Sequence, residues 1–239
     1  STLSIHSFLH DALPIFIMLN LRLPRILLSC LVGAALSVVG TSFQGIFKNP
    51  MADPFVLGVS SGAALGATMT MVFLKNIHIF GMSMVALSAF IGAIITTFLV
   101  YNIARVGTKV PVTTLLLAGI ALNYLLSSII SLMMTFNREN IEEIVMWTMG
   151  SFSTANWEEV ILLFVIVVPS ILFISIFSRD LNVMMLGEDS ARSLGIDVNG
   201  FKKYIFVIST LMVAAVVAVS GIIGFVGLIR SEERRVGKE

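Results

Sequence analysis

The chain has 239 residues, of which 57% are hydrophobic and 12% charged, and its formal net charge is +1. A soluble domain carries about 45–50% apolar and about 25% charged residues, so this composition excludes a soluble enzyme of ordinary type. Its mean hydropathy is +0.99. The near-zero charge leaves no basic surface for nucleic acid, and a single cysteine, Cys30, excludes an intramolecular disulfide.

Residues 1–20 are poorly patterned: 12–19 is apolar but too short to span a bilayer, and no basic region precedes it, so it does not read as a signal peptide. Uncharged runs of at least about 18 residues then occupy six stretches, 26–47, 55–74, 79–104, 111–136, 160–177 and 204–229. They are apolar all round, unlike an amphipathic soluble helix or the alternating strand of a barrel. The expected fold is all-α, a polytopic transmembrane helical bundle in one domain over 1–239, with membrane lipid as its solvent.

In the first run Ser29, Gly33, Ser37, Thr41 and Gly45 recur every four residues, and Gly58, Gly62 and Gly66 do so in the second. Small residues on one helix face let backbones approach closely, so both faces are expected to pack, with Cys30 a small packed side chain. Between these runs lies Lys48-Asn49-Pro50-Met51-Ala52-Asp53-Pro54, whose prolines forbid a continuous helix. Asp53 is placed to cap the next helix, with Pro54 at its first position.

None of the six runs contains Asp, Glu, Lys, Arg or His. Proton-coupled carriers and voltage sensors keep ionisable groups at membrane depth, so any transport here must draw its energy from outside the bilayer. A pathway would be lined by small, hydroxyl and amide side chains such as Ser60, Ser61, Thr113, Thr114 and Asn123. The plainer reading is that these groups hydrogen-bond between helices. The runs also lack the nucleophile–base pairs, paired carboxylates or metal ligands that an intramembrane enzyme needs. His6, His10 and His78 show no metal-ligand spacing, the methionines read as packing or lipid-facing residues, and no phosphate-binding loop is present for ATP.

Downstream, Glu188 and Asp189 suit the start of a short helix, Arg192 its end and Gly195 its cap, so a charged helix is expected in the 186–195 loop. The connections carrying Lys48, Arg105, Lys109, Arg179, Arg192, Lys202 and Lys203 are assigned to the cytoplasm, and those carrying Arg22, Arg25, Lys75 and Arg138 to the other side.

Several stretches resemble the FecCD/BtuC-like permease subunits of bacterial ABC importers for iron siderophores, haem and vitamin B12. They are Leu21-Arg22-Leu23-Pro24-Arg25, Gly33-Ala34-Ala35-Leu36, and Gln44-Gly45-Ile46-Phe47-Lys48-Asn49-Pro50-Met51-Ala52-Asp53-Pro54 running on through Gly58-Val59-Ser60-Ser61-Gly62-Ala63. Leu115-Leu116-Leu117-Ala118-Gly119, Trp147-Thr148-Met149-Gly150-Ser151-Phe152 and Leu186-Gly187-Glu188-Asp189-Ser190-Ala191-Arg192-Ser193-Leu194-Gly195 continue the likeness. The resemblance implies a permease in the bacterial inner membrane that moves a ferric siderophore and does no chemistry on it. It implies a second permease subunit, two ATP-binding subunits docked at Glu188 to Leu194, and a substrate-binding protein received outside by Arg22 and Arg25. No cofactor is expected on this chain, since ATP belongs to the partner. Vitamin B12 or haem import, or a non-transporting scaffold, are the alternatives. The family has about ten helices per subunit and six runs are visible, matching its second to seventh helices, so the chain is expected to be incomplete at both ends, with 1–20 and 230–239 atypical.

Overall fold

The computed structural model describes residues 14–49, 52–74, 78–79, 82–107 and 110–224. Helix α1 (Pro14–Phe47) runs 34 residues without interruption. It is π-helical over Met18–Arg22 and α-helical from Leu23. Pro24 has no N–H to donate to the preceding turn, and the wider turn just before it accommodates the ring. The short apolar stretch of the N-terminal region, from Pro14 onward, is therefore part of the first helix, and Arg22 and Arg25 sit inside that helix rather than ahead of it.

The second run divides. Pro54–Leu57 forms a 3₁₀ turn capped by Asp53, whose Oδ1 accepts from Phe55 N at 2.8 Å. Gly58 then takes φ +83° and redirects the chain into α2 (Val59–Phe73). Its 15 residues reach about 22 Å, less than the bilayer's hydrocarbon core of about 30 Å. The third run is also shortened: β1 (His78–Ile79) and β2 (Met82–Ser83) pair antiparallel, and α3 (Met84–Ala104) starts where Ser83 Oγ accepts from Ala86 N.

Helix α4 (Val112–Phe136) follows Pro111. A 3₁₀ turn leads into α5 (Ile141–Met149), and a capping box of Asn156 and Glu159 opens α6 (Trp157–Ile176). Then come α7 (Ser178–Leu186), α8 (Glu188–Ser193) and α9 (Val198–Ser220). Five of these helices are long and apolar enough to cross a membrane. The expected sixth is the short α2, and α5 and α7 were not evident in the apolar runs. Helix α9 begins earlier than its apolar run, taking in Lys202 and Lys203, and ends at Ser220, before Gly221; residues 225–229 of that run lie outside the described residues.

Helix α9 runs through the core, with Met212 to Val217 almost wholly buried, and packs on α1, α3 and α6. The tightest pair is α2 with α3. A Cβ on Gly62 would lie 2.5 Å from the Gly92 carbonyl oxygen, and one on Gly66 would lie 2.2 Å from that of Ser88. The small face of α2 therefore packs as expected. That of α1 does so only at Gly45, beneath Leu181; Gly33 has nothing within 4 Å of its Cβ position. Ser37, Thr41 and Cys30 are exposed, so Cys30 is not the packed side chain its sequence context suggested. No described element covers that side of α1.

Most hydroxyls in the helices do not bridge between helices. Ser37, Thr41, Ser42, Thr68, Thr97 and Ser170 donate to carbonyls of their own helices, and Thr70 to Ser88 at 2.6 Å is a bond across the α2–α3 contact. A carbonyl one turn back lies within reach of each hydroxyl and needs no second helix in register.

Candidate functional site: the polar cleft at one end of the bundle

At one end of the bundle the last turn of α1, the start of α4, and the α7–α8–α9 segment surround a half-open cleft of about 700 Å³. Its polar wall is α8. Gly187, at φ +139°, starts this helix, and Gly195, at φ +84°, ends it. Gly195 N donates to the Arg192 carbonyl and Ile196 N to that of Ala191, each at 3.0 Å, which is the paired bonding of a Schellman cap. The expected charged helix is therefore present and capped where the sequence placed it. Ala191 is fully buried and pins the helix, whereas Leu186, Leu194, Asp189 and Arg192 face outward.

Glu188 is the electrostatic centre. Its Oε1 accepts from Lys202 Nζ at 2.5 Å, and its Oε2 lies 3.6 Å from Arg192 Nη2. The Lys202 hydrogen bond, helped by the charges of Lys202, Arg192 and Lys48, holds its carboxyl below the usual range despite partial burial. Lys48 ends α1 in a left-handed conformation, φ 49°, and lines the same cleft. Its presence beside α8 puts the 48–54 and 186–203 connections at one end, as the charge pattern requires. Sequence reasoning missed Lys202 as Glu188's partner, because fourteen residues separate the two. It also missed the aromatic floor, where Phe206 meets Phe43 at 6.2 Å and Tyr101 at 5.4 Å.

Around the neighbouring turn, Ala52 N donates to the Asn49 carbonyl, and half-buried Asp53 has its carboxyl pushed up by burial against the opposing hydrogen bond from Phe55 N. Pro54 is buried; Pro50 lies outside the described residues. Gly58 is buried with Thr96 against it. Ser61 donates to the Gly58 carbonyl, and Ser60 Oγ is buried without a partner among the described residues. Thr114 is bound to the Ala104 and Pro111 carbonyls, while Thr113 is exposed and Asn123 half-buried on α4. Ser61 thus serves the first turn of α2, whereas Thr114 ties the start of α4 to the end of α3 through the Ala104 carbonyl.

The opposite end holds the arginines. Arg25 Nε donates to the Phe152 carbonyl at 3.1 Å and its Nη2 to that of Ser153 at 2.7 Å, clamping the α5–α6 loop to α1. Trp157 Nε1 donates to the Leu19 carbonyl close by. Arg22 is exposed, with Nη1 at 3.8 Å from Met18 Sδ. At this end Ser151 N also donates to the Ser220 carbonyl, and Gly150 and Gly221 meet so closely that a Cβ on Gly221 would lie 2.4 Å from the Trp147 oxygen.

Comparison with known proteins agrees with this arrangement. The chain is 42% identical over 214 residues to the uncharacterized ABC transporter permease protein YvrB of Bacillus subtilis, covering 89% of this chain and 61% of that one. It is 39% identical to the cobalamin import system permease protein BtuC of Halobacterium salinarum, covering 88% of this chain and 56% of that one. With the hemin transport system permease protein HmuU of Yersinia pestis the identity is 36%, over 89% and 64%. The chain thus spans about three fifths of the length of these relatives. A solved structure of a metal-chelate type ABC transporter in an inward-facing conformation superposes with a TM-score of 0.82 at 33% identity, covering 95% of this chain and 71% of that one. The profile of the FecCD transport family matches residues 2–232, and with that span and this helical arrangement the chain, a multi-pass inner-membrane protein, belongs to the FecCD transport family.

Proposed function

We propose that this chain is the permease part of an ATP-binding-cassette importer that moves a bulky metal chelate, a ferric siderophore in our reading, across the inner membrane. The observation that carries the reading is α8: a capped, charged helix flanked by outward-facing Leu186 and Leu194 and tied through Glu188 and Lys202 to the buried helix α9. Such a helix can pass a push from a soluble partner into the bundle. ATP hydrolysis belongs to two separate subunits that dock on this face, a second permease subunit completes the pathway, and a substrate-binding protein approaches the Arg22 end.

Arg25 spends two donors on the loop carbonyls and keeps others for an acidic partner, since a guanidinium carries five N–H groups. Family membership supports chelates as a class, and the relatives' names include both cobalamin and hemin. Uptake by vesicles holding the assembled transporter tests the choice. ATP-dependent entry of labelled ferric siderophore is expected; entry of cobalamin or haemin alone would move the substrate within the class, and ATP-dependent entry of none would remove the permease reading.

A further inference from the structure

We propose that the groove between α3 and α9 is a lipid site, holding an acyl chain of one anionic phospholipid whose phosphate pairs with Lys203. The groove, of about 300 Å³, is lined by Phe98, Tyr101, Phe206, Val207, Leu211 and Lys203, among others. Phe98 is 65% and Val207 55% exposed on two helices that are apolar enough to span, so the groove opens toward lipid and not into the core. The Tyr101–Phe206 pair, in contact at 5.4 Å, stands between the groove and the polar cleft, and these two rings and Lys203 border both.

Two adjacent lysines have different fates. Lys202 is turned to Glu188, whereas Lys203 is exposed at the groove mouth and makes no ion pair or hydrogen bond among the described residues. From Lys203 to Leu211 the helix descends about 12 Å, which stays within one leaflet's share, about 15 Å, of the hydrocarbon core. A slot with apolar walls and one unneutralised cation at its rim matches an amphiphile with an anionic head and an apolar tail.

The test places a fluorescent reporter in the groove wall, Val207→Trp, with Phe98→Trp on the facing wall as a second reporter should the first fail to fold. The chain is reconstituted in bilayers containing brominated phosphatidylglycerol or brominated phosphatidylcholine at equal mole fraction, and the quenching of the parent chain's own Trp147 and Trp157 is subtracted. One lysine–phosphate contact predicts about a fivefold preference for the anionic lipid. That preference should vanish in the added Lys203→Gln background, while Arg105→Gln, on the same end, leaves it in place. Equal quenching by both lipids, or a preference that survives Lys203→Gln, would overturn the headgroup contact. No quenching by either lipid would show the groove to be covered by protein and overturn the proposal outright.

Discussion

Two carboxylates near the cleft should respond to pH in opposite directions. Glu188 is held low by its Lys202 hydrogen bond, so its pairing stabilises the fold above the ordinary value of 4.5 and is lost as pH falls through the lowered folded value. Both partners are partly exposed, so Glu188→Gln should cost only about 0.5–1 kcal/mol at pH 7. The gap should close in acid, which thermal unfolding in detergent at pH 7 and below pH 4 would show; a gap unchanged by acid would contradict the pairing. Asp53 is raised by burial, so its ionisation opposes folding: the benefit of its neutral form is complete below 3.8 and lost as pH rises through the raised folded value. Asp53→Asn should therefore be at least as stable as the parent at neutral pH, since its amide oxygen can still accept from Phe55 N. Asp53→Ala should lose about 1 kcal/mol with the cap, and equal melting of the two variants would contradict this assignment. The capping roles of Asp53 and Gly195 were legible in the sequence, because a cap is local chemistry. The Glu188–Lys202 pair was not, because tertiary packing across the α8–α9 turn creates it.

Helix by helix, the glycines separate contact from composition. Gly66→Ala would drive a methyl into the Ser88 carbonyl, which as backbone cannot yield, and should cost about 3 kcal/mol. Gly33→Ala meets open space in the middle of α1 and should gain up to about 1 kcal/mol from helix propensity. Melting temperatures of the two variants should move in opposite directions, and a joint loss would mean that the α1 face is packed after all. The two glycine stripes are indistinguishable by spacing. Only the partner makes them different: α3 sets the Gly92 and Ser88 carbonyls against one stripe, whereas among the described residues the other is met at Gly45 alone, by Leu181. The same limit explains the helix boundaries. Hydropathy locates apolar runs, so it marked the cores of α1, α3, α4, α6 and α9. It passed over amphipathic α7, and it did not register the break that Gly58's positive φ imposes before α2.

The whole molecule has two chemically distinct ends joined by the largely buried α9. One end gathers Lys48, Glu188 and Lys202, the other Arg25, Ser151 and Gly221. In a Cys30→Ser background, Asp189→Cys should resist a membrane-impermeant thiol reagent in intact cells, and Glu142→Cys should react; strong outside labelling at position 189 would invert the topology. If α8 passes a partner's ATP hydrolysis into the bundle, as proposed above, its Gly195 cap must keep its shape. Its Cβ position is empty, so Gly195→Val disturbs only the left-handed cap, costing about 1–2 kcal/mol locally, whereas Gly195→Asn can keep that conformation. In the fully assembled transporter, substrate-stimulated ATP hydrolysis should fall severalfold in Gly195→Val, recover in Gly195→Asn, and leave docking of the binding protein unchanged in both. Undiminished stimulated hydrolysis and uptake in Gly195→Val would contradict the coupling role of α8.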